Sequence, residues 1–150
     1  MVACRRIEGM PHWELADGMV IFRLRTLGSR RHDLESKSLI NLLISLSYSL
    51  HLMFMLMLRR KDYDIVHFHG ASLPLIINTI PLKLIGKKII AKVAGAKMNI
   101  EAGSFRGRYM GLGRLFRRIL RHVDVFIAIT GEIREDLIQD GILPERIWKT

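Results

Sequence analysis

Apolar residues recur along the chain in two alternating rhythms. Short runs rich in β-branched residues occupy Met19 to Leu24, Asp64 to His69, Lys88 to Val93 and Asp124 to Ile129, and stretches of helical period lie between them. That alternation predicts an α/β architecture, a parallel sheet flanked by helices with the four runs side by side. The last three runs (IVHFH, IIAKV and VFIAI) are almost unbroken in apolar character, the pattern of strands covered on both faces.

The punctuation between the runs agrees. Ser72 is placed to cap a helix starting at Leu73 with Pro74 in its first turn, and Gly86 to end it in the left-handed conformation before Lys87. Pro81 falls inside that helix and is expected to kink it. Thr130 is placed to cap a last helix carrying Glu132 near the positive end of the dipole, with Asp140-Gly141 closing it.

Two segments change the picture. Ser38 to Leu58 holds no Asp, Glu, Lys or Arg and is long enough to cross a bilayer core of about 30 Å. Ser38, Asn41, Ser45 and Ser49, however, recur at spacings of three and four, and His51 adds another polar group. The expectation is a buried domain helix with a weak polar face, with a membrane span as the alternative.

Further on, Leu112, Leu115, Phe116, Ile119 and Leu120 follow helical spacing while Arg114, Arg117, Arg118 and Arg121 lie off that stripe. Arg106 and Arg108 precede them. Such a cationic face is either a solvated surface or a membrane-surface contact for anionic lipid headgroups.

A length of 150 residues fits one domain, and 49% hydrophobic with 25% charged residues is a globular composition. The formal charge of +10 predicts attraction to polyanions. Aromatic residues make up only 7% and none of the basic stretches interleaves with them, so nucleic acid is not the expected partner. A single cysteine, Cys4, cannot close an internal disulfide, and residues 1–10 lack the apolar run of a secretory leader. A cytoplasmic location is expected, with peripheral attachment to the inner face of the plasma membrane left open.

In open parallel sheets ligands sit beyond the carboxyl ends of the strands. Three glycine-bearing loops fall there: His69-Gly70-Ala71-Ser72, Ala94-Gly95-Ala96-Lys97 and Thr130-Gly131-Glu132. His67 and His69 are two apart and share a face; His67 is expected in the core, and His69 either packs or serves the cleft as a hydrogen-bond donor or base. No cysteine or carboxylate cluster completes a metal site around them. Lys92 either snorkels to an edge or faces the cleft toward an anionic group. No phosphate loop, dinucleotide fingerprint or nucleophile elbow occurs.

The blocks DYDIVHFHGAS, KKIIAKVAGAK and FRRILRHVDVFIAITGEIREDLIQDGILPERI, in that order, resemble the N-terminal domains of glycosyltransferase family 4, and CRRIEGMPHWELADGMVIFRL resembles an earlier segment of the same domains. The resemblance implies a Rossmann-like half of a GT-B fold. It further implies sugar transfer, of hexosyltransferase type, from a nucleotide-sugar donor to a lipid-linked or polysaccharide acceptor, generally without a catalytic metal.

On that likeness residues 1–150 correspond to a partial N-terminal, acceptor-side domain. The family's opening strand and glycine-rich loop are expected before Cys4, and its donor-binding domain after Thr150. No cofactor is therefore expected here, the donor belonging to that other domain, and the chain alone is expected to be inactive. The resemblance places His69, Gly70, Lys92, Gly95, Lys97, Thr130 and Glu132 around the cleft, with His69 the candidate catalytic group. Many members carry a histidine where this sequence has Ala94. The alternatives are a membrane-associated accessory or binding subunit without catalysis, and a decayed reading frame.

Overall fold

A computed structural model describes residues 1–4, 11–24, 39–94 and 113–149. The chain divides into two compact units, Met1–Leu58 and Arg59–Thr150.

The first unit contains a three-stranded sheet in the order β1 (Val2–Cys4), β3 (Met19–Leu24), β2 (Trp13–Ala16), with β1 parallel and β2 antiparallel to β3. Only Asp17 and Gly18 separate the β2–β3 partners Ala16 and Met19, and both have positive φ, 50° and 76°. That is the backbone of a two-residue type I′ turn, whose twist matches the strands it joins, and Asp-Gly is among its preferred sequences. An ion pair between Glu14 and Arg23 braces the hairpin diagonally, and this bond holds the Glu14 carboxyl below its usual range. The expectation of one sheet is thereby corrected. Met19 to Leu24 forms a strand, but local hairpin chemistry commits it to a separate sheet.

Helix α1 (Leu39–Leu58) completes the first unit and touches β3. Its burial reverses the expected sense. Ser49 is fully buried with Leu52 and Leu56, whereas Leu43, Leu46, Leu50, Phe54 and Leu58 are exposed. The serine can go inward because its hydroxyl donates to the Ser45 carbonyl at 2.6 Å, which removes most of the cost of burying it. Among the described residues no helix is long and apolar enough to cross a membrane.

The second unit is a parallel sheet in the order β4 (Ile65–His69), β5 (Lys88–Val93), β6 (Val125–Ala128), β7 (Ile147–Lys149). Helix α2 (Leu73–Leu84) joins β4 to β5, α3 (Gly113–Leu120) precedes β6, and α4 (Gly131–Gln139) with a short 3-10 turn (Pro144–Arg146) leads to β7. Because the strands advance in one direction and such crossovers share one hand, the connecting helices lie on one face. That face is closed: Phe68, Ile89, Ala91, Val93, Phe126, Ala128 and Ile147 are all buried.

The opposite face is not. Ile65, His67, His69 and Trp148 are exposed there, and Ile90, Lys92, Val125 and Ile127 are half-buried. Strands covered on both faces are expected from their apolar runs, and one-directional winding explains the difference, since it sends α2, α3 and α4 to the first face. Helix α3 shows the same economy. Leu120 is buried and Phe116 and Ile119 are half-buried, while Leu115, at the stripe's edge, is exposed; Leu112, Arg106 and Arg108 lie outside the described residues.

Helices α2 and α4 stop in the same way. Gly86 (φ 75°) donates to the Lys83 carbonyl and Lys87 to Leu82, and Gly141 (φ 85°) donates to Ile138 and Ile142 to Leu137. These are paired Schellman closures, and the second buries Leu137 with Ile142. Helix α2 runs through Pro81 to Leu84. Thr130 caps α4 as expected, its Oγ1 accepting from the Ile133 amide at 3.3 Å. Ser72 occupies the N-cap of α2, but its side chain makes no cap bond. This corrects the expected side-chain cap.

Asp124 ties the layers together. Its carboxylate accepts from Lys83 of α2 at 2.9 Å through both oxygens and from the Ile89 amide of β5 at 2.9 Å, with Lys88 at 3.4 Å. Burial pushes its pKa up. The Lys83 hydrogen bond, the Ile89 amide and the charges of Lys83 and Lys88 outweigh that and hold it below the ordinary value of 3.8.

A carboxyl lowered in the folded state stabilises the fold above its unfolded pKa, and that contribution is lost as pH falls through the folded value. Asp124→Asn is therefore expected to destabilise the protein by roughly 1 to 3 kcal/mol at pH 7 and to flatten its acid-unfolding profile, measured by denaturant melts from pH 7 to 2. At Gly86, where a Cβ would meet nothing within 4 Å, Gly86→Ala is expected to cost about 1 kcal/mol through the left-handed backbone alone; an unchanged melt would contradict this.

Candidate functional site

Parallel register brings the carboxyl ends of β4, β5 and β6 to one rim. His69 pairs with Lys92 and Lys92 with Ile127, so imidazole and ammonium project from neighbouring strands on the same face. Gly70 follows at φ 106°, outside the range a side chain tolerates well, and its amide donates to the Lys92 carbonyl at 2.8 Å. The loop leaving β4 is thus pinned to β5 immediately beyond the two side chains.

His67 stands beside His69, ring centroids 4.6 Å apart. It is exposed, which corrects its expected core position: the two-residue strand period puts it with His69 on the uncovered face. Partial burial of its ring, then the charges of His69 and Lys92, keep its pKa below 6.5.

Beyond β6, Thr130 begins α4, whose first-turn amides point at the rim. Glu132, exposed in that turn, offsets their positive end, so this helix terminus suits a hydroxyl better than a free anion. The structure thus gathers His69, Gly70, Lys92, Thr130 and Glu132 at the carboxyl end of one sheet. Gly95 and Lys97 lie outside the described residues. Arg114, Arg117 and Arg118 are on α3 and Arg121 follows its last residue, and none of the four joins this group. Among the described residues no three His, Cys, Asp or Glu side chains gather as metal ligands would.

Two further groups belong here. Ser72 is half-buried at the start of α2 with a hydroxyl not spent on capping. Trp148, 57% exposed, ends a row that runs His69, Lys92, Ile127, Trp148 across four strands, roughly 14 Å at the usual strand spacing. No sequence pattern points to Trp148, because the three-residue β7 is too short to show alternation. Ser72 was visible, but only as a cap.

A one-directional parallel sheet with its polar groups at the carboxyl rim defines a Rossmann-like α/β domain. The model of Glycosyltransferase Family 4 matches residues 28–148, and the chain belongs to that family. No curated protein matches the sequence. Among solved structures, a protein assigned as a UDP-N-acetylglucosamine 2-epimerase from Listeria monocytogenes is similar at 15% identity and a TM-score of 0.49, over 79% of this chain. The chain spans 29% of that protein's length.

The crowding at His67 makes a measurable difference. Its NMR titration midpoint is expected below 6.5, and His69→Gln, by removing a neighbouring charge, is expected to raise it. A midpoint that does not move would mean that the pair does not communicate.

Proposed function

We propose that this domain is the acceptor side of a glycosyltransferase, holding a lipid-linked or polysaccharide acceptor at the rim while a donor-binding domain presents the nucleotide sugar. Family membership supports the chemistry. The observation that carries the assignment to the rim is the in-register pairing of His69 with Lys92 beside the pinned Gly70 amide. In such a transfer an acceptor hydroxyl oxygen bonds to the anomeric carbon as the bond from that carbon to the nucleotide diphosphate breaks, and the hydroxyl proton leaves to a base.

His69 is the group best situated to hold that hydroxyl or receive its proton. Lys92 would meet an anionic part of the acceptor, and Trp148 offers a flat apolar surface to a sugar ring. No metal is part of this reading.

Titrating the labelled chain with an oligosaccharide panel and a short-chain prenyl phosphate sugar is expected to shift the amides of residues 67–70, 92 and 130–132. His69→Gln is expected to weaken that binding by about tenfold, the effect of one lost hydrogen bond to a polar ligand. Shifts confined to other regions, or a variant that binds as tightly, would refute the assignment. Incubation of the chain alone with nucleotide hexoses and the same acceptors is expected to give no product, and turnover by the chain alone would refute the division between two domains.

A membrane-associated accessory role is a second reading, favoured by the exposed stripe of Leu43, Leu46, Leu50 and Phe54 on α1. It would hold the domain at the inner face of the plasma membrane. Leu50→Ser with Phe54→Ser would then reduce flotation with phosphatidylcholine vesicles. A chain that stays in the soluble fraction would end this reading.

A further inference from the structure

Helix α3 brings Arg114, Arg117 and Arg118 onto one side, and the next turn adds Arg121. At 3.6 residues per turn the four fall within a wedge of roughly 100°. They do not form a flat cationic face. All four line one recess of about 290 Å³, whose other walls are Gln139, Asp140 and Gly141 at the end of α4. Because α3 and α4 both run back from the carboxyl rim, this recess opens toward the amino-terminal edge of the sheet, at the other end of the strands from His69 and Lys92.

The recess is held in shape by specific contacts. Arg117 Nη1 lies 3.6 Å from Asp140 Oδ1. Arg146 Nη1 donates to the Arg121 carbonyl at 2.8 Å. The Arg121 guanidinium lies against the bare α-carbon of Gly141, where a Cβ would stand 2.6 Å from its Nη2.

Capping of α4 does not account for the four cations. The carbonyls of Leu137 and Ile138 are already taken by the amides of Ile142 and Gly141. Among the described residues Asp140 is the single carboxylate in the lining, and Arg114, Arg118 and Arg121 pair with none. Four guanidiniums facing one carboxylate repel one another, and a multiply charged anion with several acceptor oxygens relieves that repulsion. Planar guanidinium forks match phosphate oxygens in pairs.

We propose that the recess between α3 and α4 binds a phosphate-bearing group, a diphosphate or a terminal phosphomonoester, carried by a soluble compound or by a lipid headgroup. The site is separate from the acceptor rim, so it stands whether or not the rim holds a sugar.

Calorimetric titration of the full chain with inorganic pyrophosphate is expected to show one saturable site. Amide shifts are expected at residues 113–121 and 139–141 and not at 67–70. Arg114→Gln with Arg118→Gln, two exposed positions that leave the Arg117–Asp140 pair intact, is expected to weaken binding by about tenfold or more. Arg59→Gln with Arg60→Gln removes the same net charge outside the recess and is expected to change binding little.

Absence of saturable binding, or equal weakening by both double variants, would overturn the proposal. Vesicles of phosphatidylcholine with and without phosphatidate separate the sources. Phosphatidate-dependent binding that pyrophosphate competes away supports a headgroup, and pyrophosphate binding without vesicle binding supports a soluble ligand. Phosphatidate binding that survives both pyrophosphate and the recess variant would overturn the headgroup form.

Discussion

The second unit depends on one carboxylate. Asp124 sits where β6 begins, and its bonds reach a helix side chain and the amide of the adjacent strand at once. Ion pairs on a protein surface usually contribute little, because water competes for both partners. Here partial burial and a bonded backbone amide make the anion hard to replace. The contact also sets register: the Asp124 amide donates back to the Ile89 carbonyl, so β6 cannot slide along β5 without breaking both bonds. Fixing that register is what aligns the far ends of β5 and β6, where Lys92 meets Ile127.

Much of this unit was legible in the chain. Apolar runs located β4, β5 and β6, and Gly86, Thr130 and Gly141 marked helix limits because glycine at left-handed φ and threonine at an N-cap act locally. What escaped was non-local. Nothing in IVHFH distinguishes a strand covered twice from one covered once; the difference lies in the winding of neighbouring strands. The core position expected of His67 has the same origin, although the period of two already puts it on the side of His69. The Asp17-Gly18 turn is the opposite case, a local signal in the sequence that directs Met19 to Leu24 into a hairpin.

Helix α1 shows how a small polar group can be the better inward choice. A serine whose hydroxyl is satisfied by the carbonyl four residues earlier presents little more than a methylene to its neighbours, and allows closer approach than leucine. Leu43, Leu46, Leu50 and Phe54 are then left outside, while Ser49 goes inward with Leu52 and Leu56 and Ser45 is half-buried. Sequence amphipathicity gives the axis of such a helix but not its sense.

The two Schellman closures divide the parallel unit by mechanical character. At the amino-terminal edge α2 and α4 are each tied off by their own backbone within two residues; β5 follows α2 almost at once, and a 3-10 turn stands between α4 and β7. Chain length there is fixed by hydrogen-bond geometry. Among the described residues, the connections leaving the opposite edge, from β4 to α2 and from β6 to α4, carry no such closure. Insertions and substitutions at that edge leave the sheet threaded and the scaffold beneath it with its dimensions unchanged.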